Sequence, residues 1–317
     1  MPKTFRYQNP IYSDAIDAIR DCQIVIVDGI YYLTGTCPPT WTGPNPGVKL
    51  YSSPDLLHWK FEKFLLRREQ FAADNWSRDR FWAPEIHARA GKFYLTYTCW
   101  NETTRFPRSL GLAVADQVAG EYQVLSREKP LIERGWDLTL FTDDDGQSFG
   151  YWTDGFHLYG QEIDLDAGRP VGAPFNCVRN ENRKWDGIGV EGPFVIKRGG
   201  IYYLFYSSWT RGYEIGYAVA THPRGPWQKS PTNPIFGAQS REICEFNKME
   251  FTGNPASPFI AVGHNAIFTG PDGRDWIVCH YQEKDGADSL GFDPLRIENG
   301  EIKSDGPAWT EQVIEIG

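Results

Sequence analysis

Five times along the chain a run of strand-forming residues meets a turn glycine and leaves it as a second such run. The segments are QIVIVDGIYYLTGT, EIHARAGKFYLTYT, LTLFTDDDGQSFGYW, PFVIKRGGIYYLFYS and NAIFTGPDGRDWIVCHY, and they turn at Gly29, Gly91, Gly146, Gly200 and Gly273. Val, Ile, Tyr, Phe and Thr stand in these runs at strand density, and a glycine between two of them supplies the positive φ of a tight hairpin. A second strand pair follows each: GVKLYSSPDLLHWKFE, SLGLAVADQVAGEYQVL, FHLYGQEIDLDAGRPVG, YEIGYAVATHPRGPWQKS and SLGFDPLRIENGEIKS. Two hairpins make a four-stranded sheet. Five such sheets predict an all-β, five-bladed β-propeller occupying residues 1–317 as a single domain. No linker or long helical periodicity interrupts it. Residues 14–20 have room for one short turn, and the longest inter-repeat stretch, 230–263, is expected to cover one face.

Composition narrows the partners. A formal net charge of -9 on 317 residues is a poor match to a phosphate backbone, so no nucleic-acid partner is expected. Twelve Trp is a high count, and such rings fill blade interfaces or build flat platforms for sugars and bases. The six cysteines, Cys22, Cys37, Cys99, Cys177, Cys244 and Cys279, form no CxxC, which favours buried free thiols over disulfides or zinc. The opening MPKTFRYQNP lacks an apolar signal core and no run of 18 apolar residues exists, so a cytoplasmic protein without a membrane partner is expected, or a secreted one if a leader was trimmed. Oligomeric state is left open.

Each segment is opened by a polar residue: Asp21, Glu85, Asp137, Glu191 and His264, six to nine residues ahead of its glycine. In a propeller the first strand of each blade lines the axis, so similar offsets bring these side chains to one funnel. Like charges held close in a dry cavity cannot all ionise, and at least one carboxyl must keep its proton. One carboxyl as acid and another as base is the arrangement glycoside hydrolysis requires.

Five motifs in order, RDCQIVIVDGIYYLTGT, FWAPEIH, GWDLTLFTDDDG, VEGPFVIKRGGIYYLFYS and GHNAIF, resemble glycoside hydrolase family 43 over nearly the full length. Carried onto this chain, the resemblance implies Asp21 as general base, Asp137 as the modulator that raises the proton affinity of its neighbour, and Glu191 as the proton-bearing general acid. It further implies inversion at the anomeric carbon, with base and acid about 6.5–9.5 Å apart. Two departures stand out: Cys22 replaces the family's Pro after the base, and Phe292 occupies the place where the family often has an active-site Arg.

The substrates implied are terminal α-L-arabinofuranosyl or β-D-xylosyl units of plant-type oligo- or polysaccharides. An endo-arabinanase or an exo-β-1,3-galactosidase is the alternative within the family. A retaining fructan or sucrose hydrolase would need an Asn-Asp-Pro segment where RDC stands and a Glu-Cys where VEGP stands. A non-catalytic sugar-binding propeller would not need three carboxylates. Trp82, Trp136 and Trp209 are candidate sugar platforms, with Trp41 and Trp100 in comparable loop positions; Trp59 and Trp227 are expected to be structural. Glu85 is left between a sugar-hydroxyl partner and an ion pair. His264 is left between a water-mediated Ca²⁺ on the axis and hydrogen bonds to Asp21 or Asp137. His87 and His280 follow strand alternation as packing or surface residues. No cofactor is required by the chemistry.

Overall fold

The structure, a computed structural model, describes residues 3–284 and 286–316. It is the expected ring of five antiparallel sheets. Blade 1 runs Arg20–Val27, Ile30–Thr36, Gly47–Ser53 and Lys60–Arg67. Blade 2 runs Arg80–Arg89, Lys92–Asn101, Phe106–Ala115 and Gln123–Val124. Blade 3 runs Trp136–Thr142, Ser148–Thr153, His157–Asp164 and Arg169–Arg179. In all three, sequential strands are neighbours, as the repeated hairpins dictate. The five turn glycines all have φ between 75° and 85°, where a side chain would be strained although there is room for it.

The outer strands of the last two blades depart from the four-strand expectation. In blade 4 (Glu191–Arg198, Ile201–Ser208, Gly212–Ala220) the third strand pairs with both Gln228–Lys229 and Phe236–Gln239, so this sheet has five strands. Blade 5 keeps only Phe259–Thr269, Asp275–Glu283 and Ser289–Pro294 in its sheet, while Arg296–Glu298 and Glu301–Lys303 form a separate hairpin. The N-terminal segment takes the vacated edge. Ile11 bridges Leu290, Asn9 exchanges hydrogen bonds with the Phe292 backbone, and Lys3–Tyr7 pairs with Gln312–Ile316. Phe5 and Tyr7 then pack on Trp276 and Phe292, closing the ring with an aromatic cluster from both ends of the chain.

Within residues 14–20 a turn at Asp14 and Ala15 leads without helix into the first strand at Arg20. The 230–263 stretch supplies the added blade-4 strand and a short helix, Arg241–Phe246, that docks on the Thr210–Arg211 loop. Trp59 is buried with its indole N–H on the Leu56 carbonyl, and Trp227 packs edge-on against Tyr151, both structural as expected. All six cysteines are free, and all but the half-buried Cys177 are buried. Among the described residues no helix is long and apolar enough to cross a membrane.

A backbone device recurs at the start of every inner strand. The ladder between first and second strands slips after Arg20, Trp82, Trp136, Glu191 and Gly263. The next residue in each blade, Asp21, Ala83, Asp137, Gly192 and His264, has φ between 42° and 60°. Such a bulge bends the strand and re-aims a side chain. A left-handed residue other than glycine costs about 1–2 kcal/mol and persists where its surroundings fix it. Opposite the slip stand Thr36, Thr98, Thr153, Ser207 and His280. Four of them hold the bulged N–H of the following blade: Thr36 Oγ1 accepts from Ala83, Thr98 Oγ1 from Asp137, Ser207 Oγ from His264, and His280 Nδ1 from Asp21.

Candidate active site

The five bulges face one end of the axis, and there the structure opens a cavity of about 580 Å³. That is the size range of sugar and small-ligand sites. Asp21, Asp137, Glu191 and His264 line its floor, and Trp41, Trp82, Trp100 and Trp136 stand in its walls. The three carboxyls, far apart in sequence, do meet.

Each is held differently. Asp21 Oδ2 accepts a 2.5 Å hydrogen bond from the Thr36 hydroxyl, and Oδ1 lies 3.2 Å from His264 Nδ1. Glu191 is gripped at both oxygens, by the Tyr213 hydroxyl at 2.7 Å and the Trp136 indole N–H at 3.2 Å. Asp137 lies deepest. Its Oδ2 accepts the Gly192 N–H at 3.1 Å and sits 3.8 Å from His264 Nδ1. Burial pushes the Asp137 carboxyl up to about 8; the nearby His264 opposes the rise, and Glu191 and Asp21 add to it. Burial works against a charged His264, but Asp21, Asp137, Glu191 and Glu85 outweigh it and raise its proton affinity. The resemblance implies a proton-bearing Glu191; in the structure it is the Asp137 carboxyl that burial pushes up.

Gly192 completes the floor. Its φ of 57° favours glycine, and a Cβ there would stand 3.2 Å from the His264 ring. The pair Glu191-Gly192 thus serves two needs: the glycine takes the bulge, and the glutamate one step earlier reaches the pocket.

Two expectations are corrected. Glu85 is not part of the ring. Ala83 holds the bulge position of blade 2, and Glu85, two residues further down the axis, is buried beside His87 and does not line the cavity. Trp209 does not reach the cavity either; it packs against Gly189, where a Cβ would overlap its ring. Trp82 and Trp136 do line it, as do Trp41 and Trp100. Phe292 is wholly buried within the blade-5 sheet and faces no site.

Other functional residues were not foreseen. His280, expected as a packing or surface residue, is fully buried and supports the Asp21 backbone; burial holds it well below the usual histidine range, so it stays neutral with Nδ1 as acceptor. Tyr213, on the third strand of blade 4, lies tilted against His280 and donates to Glu191. Arg20, Arg80, Arg105 and Arg108 also line the pocket. A repeat register would have found His280 and Thr36, because they occupy equivalent places; nothing in local sequence marks the arginines.

An acid–base carboxyl cluster under tryptophan walls, at one end of a five-bladed propeller, defines a sugar-processing pocket. The family model "Glycosyl hydrolases family 43" matches residues 7–307, and the chain belongs to that family. It is 28% identical over 271 residues to a "Xylan 1,3-beta-xylosidase" of Vibrio sp, covering 77% of this chain and 46% of the relative. It is 26% identical over 291 residues to an "Extracellular exo-alpha-(1->5)-L-arabinofuranosidase" of Cellvibrio japonicus, covering 84% and 80%. The crystal structure of a thermostable family-43 glycoside hydrolase superposes with a TM-score of 0.78 at 29% identity, covering 96% of this chain and 98% of that one. The chain spans less than half the length of the Vibrio relative.

Proposed function

We propose that this chain is an inverting, exo-acting glycoside hydrolase that releases terminal α-L-arabinofuranosyl or β-D-xylosyl units. The observation that carries the proposal is the convergence of Asp21, Asp137 and Glu191 in one pocket, each in a different hydrogen-bonding environment. The names of the xylosidase and arabinofuranosidase relatives support the choice of sugars.

In this mechanism the sugar rests among the tryptophans with its anomeric carbon between Asp21 and Glu191. Asp21 takes a proton from a water that attacks the anomeric carbon. The glycosidic C–O bond breaks, and the leaving oxygen takes the proton from Glu191. Thr36 and His264 hold Asp21 in place as a carboxylate acceptor. Asp137 grips the Gly192 peptide next to the acid and keeps a proton in the cluster. Solvent returns the proton from Asp21 to Glu191 after the product leaves.

A hard cation on the axis is part of the proposal. Asn265 Oδ1 and Thr139 Oγ1, on the first strands of blades 5 and 3, are buried without partners. Glu85 Oε2 joins them: His87 Nε2 lies 3.1 Å away but already accepts the Leu140 N–H. Oxygens of this kind suit Ca²⁺ rather than zinc. Among the described residues no three His, Cys, Asp or Glu converge into a cage, so the ion would keep much of its water and would touch His264 only through it. It would supply a structural charge on the axis. A chelator should then lower the melting temperature; an unchanged one removes the ion.

The direct test is a panel of nitrophenyl glycosides with arabino- and xylo-oligosaccharides, digested by the wild type. Release of single terminal arabinose or xylose units is expected. Internal cleavage would favour an endo enzyme, galactose release the galactosidase alternative, and no turnover at all would remove the assignment.

A further inference from the structure

The wall of the pocket is more cationic than its function as a neutral-sugar site requires. The chain as a whole is acidic, yet four guanidiniums line this one cavity. Two are neutralised: Arg20 pairs with Asp288 at 2.9 Å, and Arg80 pairs with Glu102. Arg105 and Arg108 are exposed on the blade-2 hairpin and, among the described residues, have no carboxylate partner.

Their position relative to the acid matters. The Arg108 guanidinium lies 4.1 Å from the centre of the Trp136 ring, and the same indole donates its N–H to Glu191 Oε2. The general acid is the group that meets the leaving oxygen, so the wall one ring beyond it belongs to the leaving group. Arg80 lies similarly over the paired rings of Trp82 and Trp100, at 5.7 and 5.1 Å. The wall thus alternates flat rings, which suit sugar faces, with planar guanidiniums, which suit carboxylates in a two-pronged grip.

We propose that the leaving-group side of this pocket takes a uronic-acid-bearing sugar, its carboxylate held by Arg105 and Arg108. This rests on the glycosidase reading and adds the class of polysaccharide to it: acid-decorated chains rather than neutral ones. Stacking on Trp136 holds the Arg108 plane in position, so the carboxylate meets a partly ordered fork.

The test uses two oligosaccharides with the same terminal arabinosyl or xylosyl unit. One carries a uronic acid on the adjoining sugar, and the other is the same compound with its carboxyl reduced to the alcohol. The wild type should show a kcat/KM about tenfold higher on the acidic compound at low salt. The ratio should fall towards one as salt is added. In the Arg105→Gln/Arg108→Gln double variant the ratio should lie near one at all salt concentrations. Equal rates on both compounds with the wild type, or a preference that survives in the double variant, would overturn the proposal. If neither compound is cleaved, the glycosidase reading fails by itself, and calorimetric binding of the two compounds decides the arginine site. Tighter binding of the acidic one, lost in the double variant, supports it; equal binding overturns it.

Discussion

Blade 3 and blade 2 enter the axis with the same slip in register, the same left-handed residue and the same threonine support, yet one presents Asp137 and the other Ala83. The backbone therefore builds five equivalent seats around the cavity, and the side chains placed in them decide the chemistry. Blades 1, 3 and 5 use the seat itself, with Asp21, Asp137 and His264. Blade 4 gives the seat to Gly192 and reaches the pocket with Glu191, one residue earlier. Blade 2 leaves its seat apolar and contributes wall instead, through Arg80, Trp82, Trp100, Arg105 and Arg108. A ring of five carboxylates would be hard to charge; two aspartates, one glutamate and one histidine leave a cluster able to hold and release a proton.

The largest expected effect comes from the residues that act on the bond. Asp21→Asn and Glu191→Gln should each lower kcat/KM on an oligosaccharide by about 10³-fold. The Glu191→Gln loss should shrink sharply on a dinitrophenyl glycoside, whose leaving group needs no proton. An equal loss on both substrates would move the acid role elsewhere.

Asp137→Asn comes next, with an expected fall in kcat of about 10²-fold and a changed pH response. The folded carboxyl holds its proton up to about 8, well above its ordinary value. The folded state therefore binds a proton that the unfolded chain releases near pH 4, and the resulting stability is lost as pH rises through 8. Melting curves of the wild type should show that decline between about pH 4 and 8, and those of Asp137→Asn should be flatter over the same window. Parallel curves for the two proteins would mean that Asp137 is not the proton holder.

The smallest effect is on the apolar seat. Ala83→Gly relieves a left-handed φ of 42° on a residue that carries no chemistry. A gain of about 0.5–1 kcal/mol in denaturant unfolding is expected, the relief being partly offset by the greater freedom of glycine in the unfolded chain. A clear loss of stability there would show that the alanine methyl packs in a way the bulge comparison ignores.

The ring itself was legible because five glycines and five alternating runs are local features. Three of its chemical seats were legible too, since Asp21, Asp137 and His264 stand eight or nine residues ahead of their glycines. Glu85 misled because polarity was allowed to override spacing: it stands six residues ahead of Gly91, whereas Ala83 stands eight ahead, in step with Asp21. Blade 5 was misread for a different reason. Its outer edge is filled by Ile11, a pairing across almost the whole chain that no local pattern announces. Trp209 and Arg108 show the same limit at the site. Trp209 follows a strand and looks free to reach the rim, and nothing local marks Arg108, but only the fold shows that one rests on Gly189 and the other on Trp136.

The configuration of the first sugar released tests the role of Asp21 most directly. Proton NMR of a reaction in progress on whichever terminal glycoside the wild type cleaves should show the inverted anomer first, the outcome expected of Asp21 acting as base on a water opposite the leaving group. First appearance of the retained anomer would mean that a carboxylate attacks the sugar itself, and the assignment of Asp21 as base would fall.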